Sequence, residues 1–265
     1  MPQINDQTFL LHDQYRDSSN LEARVRLHRL FSTNKYGWNR WCFDQFDLPP
    51  DARVLELGCG PGYLWRDNVD RIPASWDIAL SDFSGGMLDR ARANLKERAF
   101  RFEIIDAQSI PFEAAAFDAV IANHLLYHVP DLPAALAEIR RVLKPGGGAY
   151  LATNGDAHLR ELHALLARFD DSRVFDWNAQ TTARFSLDRG GGMIGRVFSR
   201  YEVRRYVDNL IVTEAAPLID YVLSLARRSD AHARRADLTA FIEAELQARG
   251  SIFITKDSGL FIAQP

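Results

Sequence analysis

The stretch V-L-E-L-G-C-G-P-G, residues 54–62, decides the reading of this chain. Val54, Leu55, Glu56 and Leu57 suit an extended, buried strand, and they run straight into glycines at three alternate positions, Gly58, Gly60 and Gly62. A strand that breaks there turns tightly, because glycine adopts positive φ at no steric cost and lets other atoms approach the backbone closely. Tyr63, Leu64 and Trp65 open a helical stretch directly afterwards. The N–H groups at that helix start face into the loop. On its own, such a loop is equally what an ordinary strand–loop–helix turn requires.

Moving outward, the same alternation repeats. Residues 76–80 read as a second strand ending at Ser81-Asp82, and Ser84 caps a helix whose apolar face is Leu88, Ala91 and Leu95. A third strand over 102–105 ends at Asp106, and a fourth over 119–122 ends at Asn123. Asp131 caps the next helix, with Pro133 in its first turn and Leu132, Leu136, Ile139 and Leu143 on one side. The run K-P-G-G-G (144–148) stops that helix, and a fifth strand follows over 149–152. Short apolar strands alternating with helices imply a mainly parallel sheet covered on both faces. Ligands of such sheets sit beyond the carboxyl ends of the strands. Gly58 to Gly62, Asp82, Asp106 and Asn123 all fall there, as one pocket.

The flanks are different in texture. Residues 1–20 are polar and aperiodic, an arm. A helix follows from Leu21 with Ala23, Leu27, Leu30 and Phe31 on one face, and with Ser19 and Asn20 available to cap it. An aromatic-rich segment carries Tyr36, Trp38, Trp41 and Phe43 before Pro49-Pro50. Beyond residue 155, Leu159, Leu162, Leu166 and Phe169 mark another helix, and 170–184 is polar and irregular around Trp177. A short helix over 193–198 precedes a strand over 201–206. Thr213 caps a helix through Leu218, Tyr221, Val222 and Leu225, and a further helix spans 236–248. The tail reads as one last strand, or as two short strands joined by a turn at Asp257-Ser258-Gly259.

Two kinds of nucleotide loop are excluded by spacing. The dinucleotide fingerprint G-x-G-x-x-G needs a glycine at its sixth position, where Tyr63 stands. The phosphate-binding P-loop needs Gly-Lys-Ser/Thr, which is absent.

The motifs taken together resemble class I S-adenosylmethionine-dependent methyltransferases. E-L-G-C-G-P-G resembles their first motif. S-D-F-S-G-G-M-L and I-D-A-Q-S-I-P-F resemble their second and third strand ends. F-D-A-V-I-A-N-H-L-L-Y-H-V-P-D and R-V-L-K-P-G-G resemble the fourth strand and the helix after it. The likeness runs over roughly residues 50–153 and is similar to the branch that includes quinone-biosynthesis methyltransferases. It implies an α/β, Rossmann-like, seven-stranded and mostly parallel sheet with helices on both faces and the last strand antiparallel. An N-terminal helical lid and an insertion after the fifth strand complete it. Residues 1–48 are expected as arm and lid, 49–155 as the cofactor-binding core, and 156–265 as acceptor-pocket helices and last strands, in one compact domain.

The resemblance also implies S-adenosylmethionine as cofactor, held by Tyr15, Glu56, Gly58, Cys59, Gly60, Gly62, Asp82, Phe83, Met87, Asp106, Ala107 and Asn123. Asp82 would accept from both ribose hydroxyls, as a carboxylate can. Phe83 and Met87 would flank the adenine, and Asp106 with the Ala107 N–H would address its edge. Glu56 would help organise the ammonium, Asn123 would sit near the methionine carboxylate or sulfonium, and Tyr15 would lie over the cofactor. Gly85-Gly86 departs from relatives, which commonly carry Pro-Glu or similar; two glycines in a first helical turn cost about 1 kcal/mol each.

His124, directly after the fourth strand, is the candidate general base, an imidazole titrating near neutrality. His128 reads as structural. The spacing of these two histidines could suggest zinc, but no acidic third ligand accompanies them, so no metal is expected. One of His158 and His163 should face the acceptor. The aromatics Tyr36, Trp38, Trp177, Phe185 and Tyr221 suggest an apolar or aromatic small-molecule acceptor, although core packing explains them equally well.

A net charge of −3 and the lack of a long basic run argue against DNA and RNA partners. Two cysteines, one of them inside the glycine loop, indicate a reducing compartment. With neither a signal-peptide pattern nor a membrane-length apolar run, the chain is expected in the cytoplasm. The sequence-level reading is methyl transfer to a small molecule at an undetermined O, N or C atom. RNA or protein methylation, or non-catalytic cofactor binding, are the alternatives.

Overall fold

The computed structural model describes residues 5–10, 19–96, 98–170, 177–225 and 233–265. Seven strands form one sheet in the order β3-β2-β1-β4-β5-β7-β6. These are β1 (Arg53–Leu57), β2 (Asp77–Asp82), β3 (Arg101–Ile104), β4 (Phe117–Asn123), β5 (Leu143–Asn154), β6 (Arg200–Val212) and β7 (Ile252–Gln264). Strands β3 to β5 pair in parallel through β2, β1 and β4, whereas β7 lies antiparallel between β5 and β6. The chain order reverses between β1 and β4, the position at which an open α/β sheet forms its ligand crevice.

The two-residue periodicity of the strands sorts side chains to opposite faces. Leu55, Leu57, Val120 and Ala122 enter one buried cluster, and Val54, Ala119 and Ile121 enter the other. Helices α1 (Gln7–Phe9), α2 (Ser19–Phe31) and α3 (Trp38–Phe43) precede the sheet. Helices α4 (Tyr63–Arg66), α5 (Gly85–Asn94) and α6 (Leu132–Val142) alternate with its parallel strands. Beyond β5 come α7 (Arg160–Phe169), α8 (Trp177–Arg184) and α9 (Gly191–Ile194), then α10 (Ala215–Leu225) and α11 (Arg235–Arg249) between β6 and β7. The caps fall as the sequence indicates: Ser84 Oγ accepts from Met87 N–H at 3.3 Å, and Asp131 Oδ1 accepts from Ala134 N–H at 3.0 Å. Ser19 and Asn20 instead lie within the first turn of α2.

Three expectations are corrected. The run 144–148 does not simply stop a helix. It belongs to β5, where the register slips between Phe117↔Leu143 and Ala119↔Gly148. Gly147 sits so close to Asp118 O that an added Cβ would meet it at 2.9 Å, so the glycines serve an irregularity in the strand pair.

Residues 177–184 are a helix, α8, although they lack an apolar stripe. Tertiary contacts hold it: Thr181 and Thr182 are buried, and Arg184 donates to the carbonyls of Tyr127, Val129 and Pro130.

Of the two readings of the tail, the single last strand is the one observed, and the correction falls on β6, which pairs with it along its whole length and is more than twice as long as the expected 201–206. Asp257-Ser258-Gly259 has turn-like residues, but Gly259 crosses Arg204 so closely that a Cβ would meet its carbonyl at 2.2 Å. Glycine there is a matter of close packing rather than of turning.

Candidate active site

All three glycines of the opening stretch have positive φ: 68° at Gly58, 53° at Gly60 and 75° at Gly62. Their spatial reasons differ. An added Cβ would meet Leu125 at 2.9 Å from Gly58 and Leu95 at 2.7 Å from Gly62, whereas from Gly60 the nearest atom is Leu21 at 3.7 Å. Gly58 and Gly62 therefore also permit close packing, whereas a Cβ at Gly60 would make only ordinary contact. Cys59 N–H donates to Ser81 O at 2.8 Å, which pins the loop to the end of β2. The Cys59 side chain is buried.

Asp82 closes this arrangement. Its Oδ2 accepts from Gly60 N–H at 2.9 Å and its Oδ1 from Ser84 N–H at 2.8 Å. Burial raises its pKa, and those backbone N–H groups oppose the rise. With the Phe83 N–H as a third backbone donor, most of the roughly four lone-pair directions of this carboxylate are already engaged.

Behind the loop, Glu56 is buried, with Oε2 accepting from Trp65 Nε1–H at 2.6 Å and Oε1 from Asn123 Nδ2–H at 3.4 Å. Burial pushes its pKa to about 7, against the two donated hydrogen bonds. Asn123 also accepts from Cys42 Sγ–H at 3.5 Å.

These groups stand at one end of a cavity of about 920 Å3. Gly58, Gly60, Asp82, Phe83, Met87 and Asn123 line it. Glu56, Cys59 and Gly62 support it from behind. Asp106 and Ala107 do not line it. Asp106 accepts from the Gln108 backbone and side chain at 2.9 Å and from Gln7 Nε2–H at 3.4 Å, and Ala107 lies in the apolar core. Tyr15 falls outside the described residues. The space has room for a nucleoside joined to an amino acid. The uncrowded backbone at Gly60 and the Asp82 carboxylate beside it are what S-adenosylmethionine would use.

The far end is walled by aromatic and imidazole rings. His124 has φ +53°, an uncommon value for a non-glycine residue, and its N–H donates to Ala152 O at 3.1 Å. Its ring lies 5.3 Å from Trp38 and 6.4 Å from Tyr127. Burial, reinforced by the charge of Lys256, lowers its pKa to about 4.

His28, His128 and His158 line the same cavity, as do Tyr36, Trp38 and Tyr221. His163 is not among the lining residues, and Phe185 is buried in the core against Phe261; the Trp177 side chain lies outside what is described. His128, expected as structural, also lies in the wall of the cavity. Burial first, and neighbouring cations second, hold His28 well below the ordinary value, so it is neutral at pH 7. His158 is lowered chiefly by burial, and its Nδ1 accepts from Asp257 N–H at 3.2 Å.

Lys256, which sequence reasoning passed over, also lines the cavity, with its Nζ 2.5 Å from the fully buried Asp208 carboxylate. No signal in the sequence points to it, because Lys256 lies in a strand beside an apparent turn. Among the described residues no group of His, Cys, Asp and Glu is disposed to hold a metal ion, and no helix is long and apolar enough to cross a membrane.

Residues 54–147 match the family model described as a methyltransferase domain. A malonyl-[acyl-carrier protein] O-methyltransferase of Serratia marcescens is 34% identical over 127 residues, 47% of this chain and 47% of its own length. A ubiquinone/menaquinone biosynthesis C-methyltransferase of Desulfotalea psychrophila is 33% identical over 110 residues, 42% of this chain and 44% of its own. The match thus spans about half the length of these curated relatives. A solved structure of Haemonchus contortus phosphoethanolamine N-methyltransferase 2 in complex with S-adenosyl-L-methionine superposes with a TM-score of 0.58 at 20% identity, covering 100% of this chain and 60% of that one. That likeness is one of fold. Residues 54–147 thus match a methyltransferase domain, and the sheet order agrees with the fold of that solved methyltransferase.

Proposed function

We propose that this protein transfers the methyl group of S-adenosylmethionine to a small-molecule acceptor bound in the ring-walled end of the same cavity. The observation that carries this reading is the continuity of that space. A glycine loop held by Asp82 stands at one end, and Trp38, His124, Tyr127 and Tyr221 stand at the other.

When bound, the cofactor supplies an electrophilic methyl group on a sulfonium. Gly60 and Asp82 would hold the nucleoside, and Phe83 and Met87 would flank the adenine. Asn123, at the end of β4 and hydrogen-bonded to Glu56, stands where the two ends meet. The residues of the far end align the acceptor atom and exclude water, which is what an in-line displacement asks of a protein. His124 is neutral across the physiological range and weakly basic, so it orients or accepts a hydrogen bond more readily than it strips a proton from an alcohol.

Calorimetry with S-adenosylmethionine, followed by a labelled-methyl screen of small molecules, tRNA and protein, tests the proposal. Cofactor binding with label entering a small molecule supports it. No binding at millimolar cofactor, label in tRNA or protein only, or binding without any turnover would each overturn it.

A further inference from the structure

We infer that Lys256 recognises an oxyanion on the acceptor, so that this pocket takes a planar ring bearing a carboxylate or an ionised hydroxyl. The inference rests on the methyl-transfer reading and goes beyond it by assigning the acceptor's charge and shape.

The first observation is the ammonium itself. Its side chain is 9% exposed, in the wall of the cavity. An ammonium carries three N–H donors. Asp208 is its one hydrogen-bond acceptor among the described residues, with the Tyr206 ring 5.4 Å away. Asp208 is committed elsewhere as well, accepting from Ser32 Oγ–H, Thr33 Oγ1–H and Asn34 N–H. The carboxylate fixes the lysine in place, and donors on Nζ remain for a ligand. A buried cation is costly to maintain, and here it lies beside an open space rather than inside a closed core.

The second observation is the charge of the whole cavity. Among the described lining residues there are eight lysines and arginines against three carboxylates, Glu22, Asp67 and Asp82. The entire chain, by contrast, carries −3. Four of these arginines are paired near the surface, Arg90 with Glu22, Arg66 with Asp67, Arg26 with Asp220 and Arg40 with Asp70, which damps their share of that field. The cofactor cannot be what this field serves, because S-adenosylmethionine is itself a net cation. An anionic second ligand is the complement.

The third observation is the shape and protonation of the surrounding wall. Trp38 and His124 are 5.3 Å apart, and His28 meets Tyr221 edge to face at 5.7 Å. These ring surfaces suit a flat molecule. With His28 and His124 neutral, Lys256 and Arg24 are the positive charges that act on these rings, Lys256 on both and Arg24 on His28. An acceptor already ionised at the reacting oxygen has no proton to lose there, so it makes no demand for the strong base that His124 is not.

The test uses the full chain loaded with S-adenosylhomocysteine. Benzoate and 4-nitrophenolate are titrated calorimetrically against their neutral counterparts benzamide and 4-nitroanisole. The anions should bind at least about tenfold more tightly, since a charge-assisted hydrogen bond is worth roughly 10- to 100-fold. Lys256→Met should erase that preference while S-adenosylhomocysteine affinity stays within about twofold. Because this change strands Asp208, the double variant Lys256→Met/Asp208→Asn removes the pair together and should behave alike. Benzoate alone or 4-nitrophenolate alone showing the preference supports the inference and identifies which oxyanion it is. Equal binding of anions and neutral molecules, no binding of either anion, or an anion preference that survives both variants overturns the inference and leaves the methyl-transfer reading intact. Failure of S-adenosylhomocysteine to bind the unaltered protein overturns both.

Discussion

Asp82 Oδ2 accepts the Gly60 N–H at 2.9 Å, so the carboxylate at the end of β2 builds the glycine loop as well as facing the cavity. Replacing Asp82 by Ala removes the loop's anchor together with the expected ribose acceptor. Loss of one hydrogen-bonded group leaves partners unpaired at about 1–3 kcal/mol each. Cofactor affinity should fall by one to two orders of magnitude, read by calorimetry, and Asp82→Asn should recover only part of it. An unchanged dissociation constant would show that the ribose lies elsewhere.

Gly60 and Gly62 should separate under the same substitution. Each has a positive φ that costs an L-residue about 1–2 kcal/mol. Only at Gly62 does an added Cβ collide, with buried Leu95 at 2.7 Å, and overpacking adds about 1–3 kcal/mol. Gly62→Ala should lower the Tm on the order of 5–10 °C. Gly60→Ala should lower it less and act mainly on cofactor binding, because its methyl enters the cavity. Equal thermal losses with equal affinities would contradict this division.

Glu56 gives the unliganded protein a pH dependence of known sign. Burial raises its pKa from 4.5 to about 7 in the folded chain. The folded state therefore holds a proton that the unfolded state has lost between these values. The contribution is fully present below pH 4.5 and is lost as pH rises through 7, a change on the order of 3 kcal/mol. Glu56→Gln, whose amide cannot titrate, should flatten the fall in denaturant midpoint between pH 5 and 7.5. A parallel fall in both proteins would remove Glu56 as its source.

His124 should leave no inflection in the activity profile near its ordinary pKa. Its value is lowered to about 4, so the ring stays neutral from pH 8 down to about 5. Once an acceptor is found, kcat/KM against pH in His124→Asn should differ in height, with no change of shape above pH 5. A limb near pH 6.5 that disappears in the variant would show a titrating base instead.

The local geometry of the glycine loop and its flanks was legible because backbone constraints are written in residue type. Gly58, Gly60 and Gly62 occupy positive φ, Asp82 ends a strand and Ser84 caps the helix after it, and each of these is a local requirement that a sequence displays. Even so, Asp106 shows the limit. Its position beyond β3 suggested the pocket, yet Gln108 and Gln7 take its oxygens. A strand-end position does not reveal what a neighbouring side chain will occupy.

The sequence by itself determined the alternating β/α order and the loop after the carboxyl end of β1, from residues close along the chain, while the resemblance of its motifs implied the class of cofactor. The tertiary structure alone decided the acceptor end. His28 comes from α2, His124 from the residue after β4, His158 from the turn before α7, and Lys256 from a strand threaded antiparallel between β5 and β6. Lys256 meets Asp208 because the two are register partners across β6 and β7. That pairing joins residues distant in sequence, and only the folded sheet fixes its register.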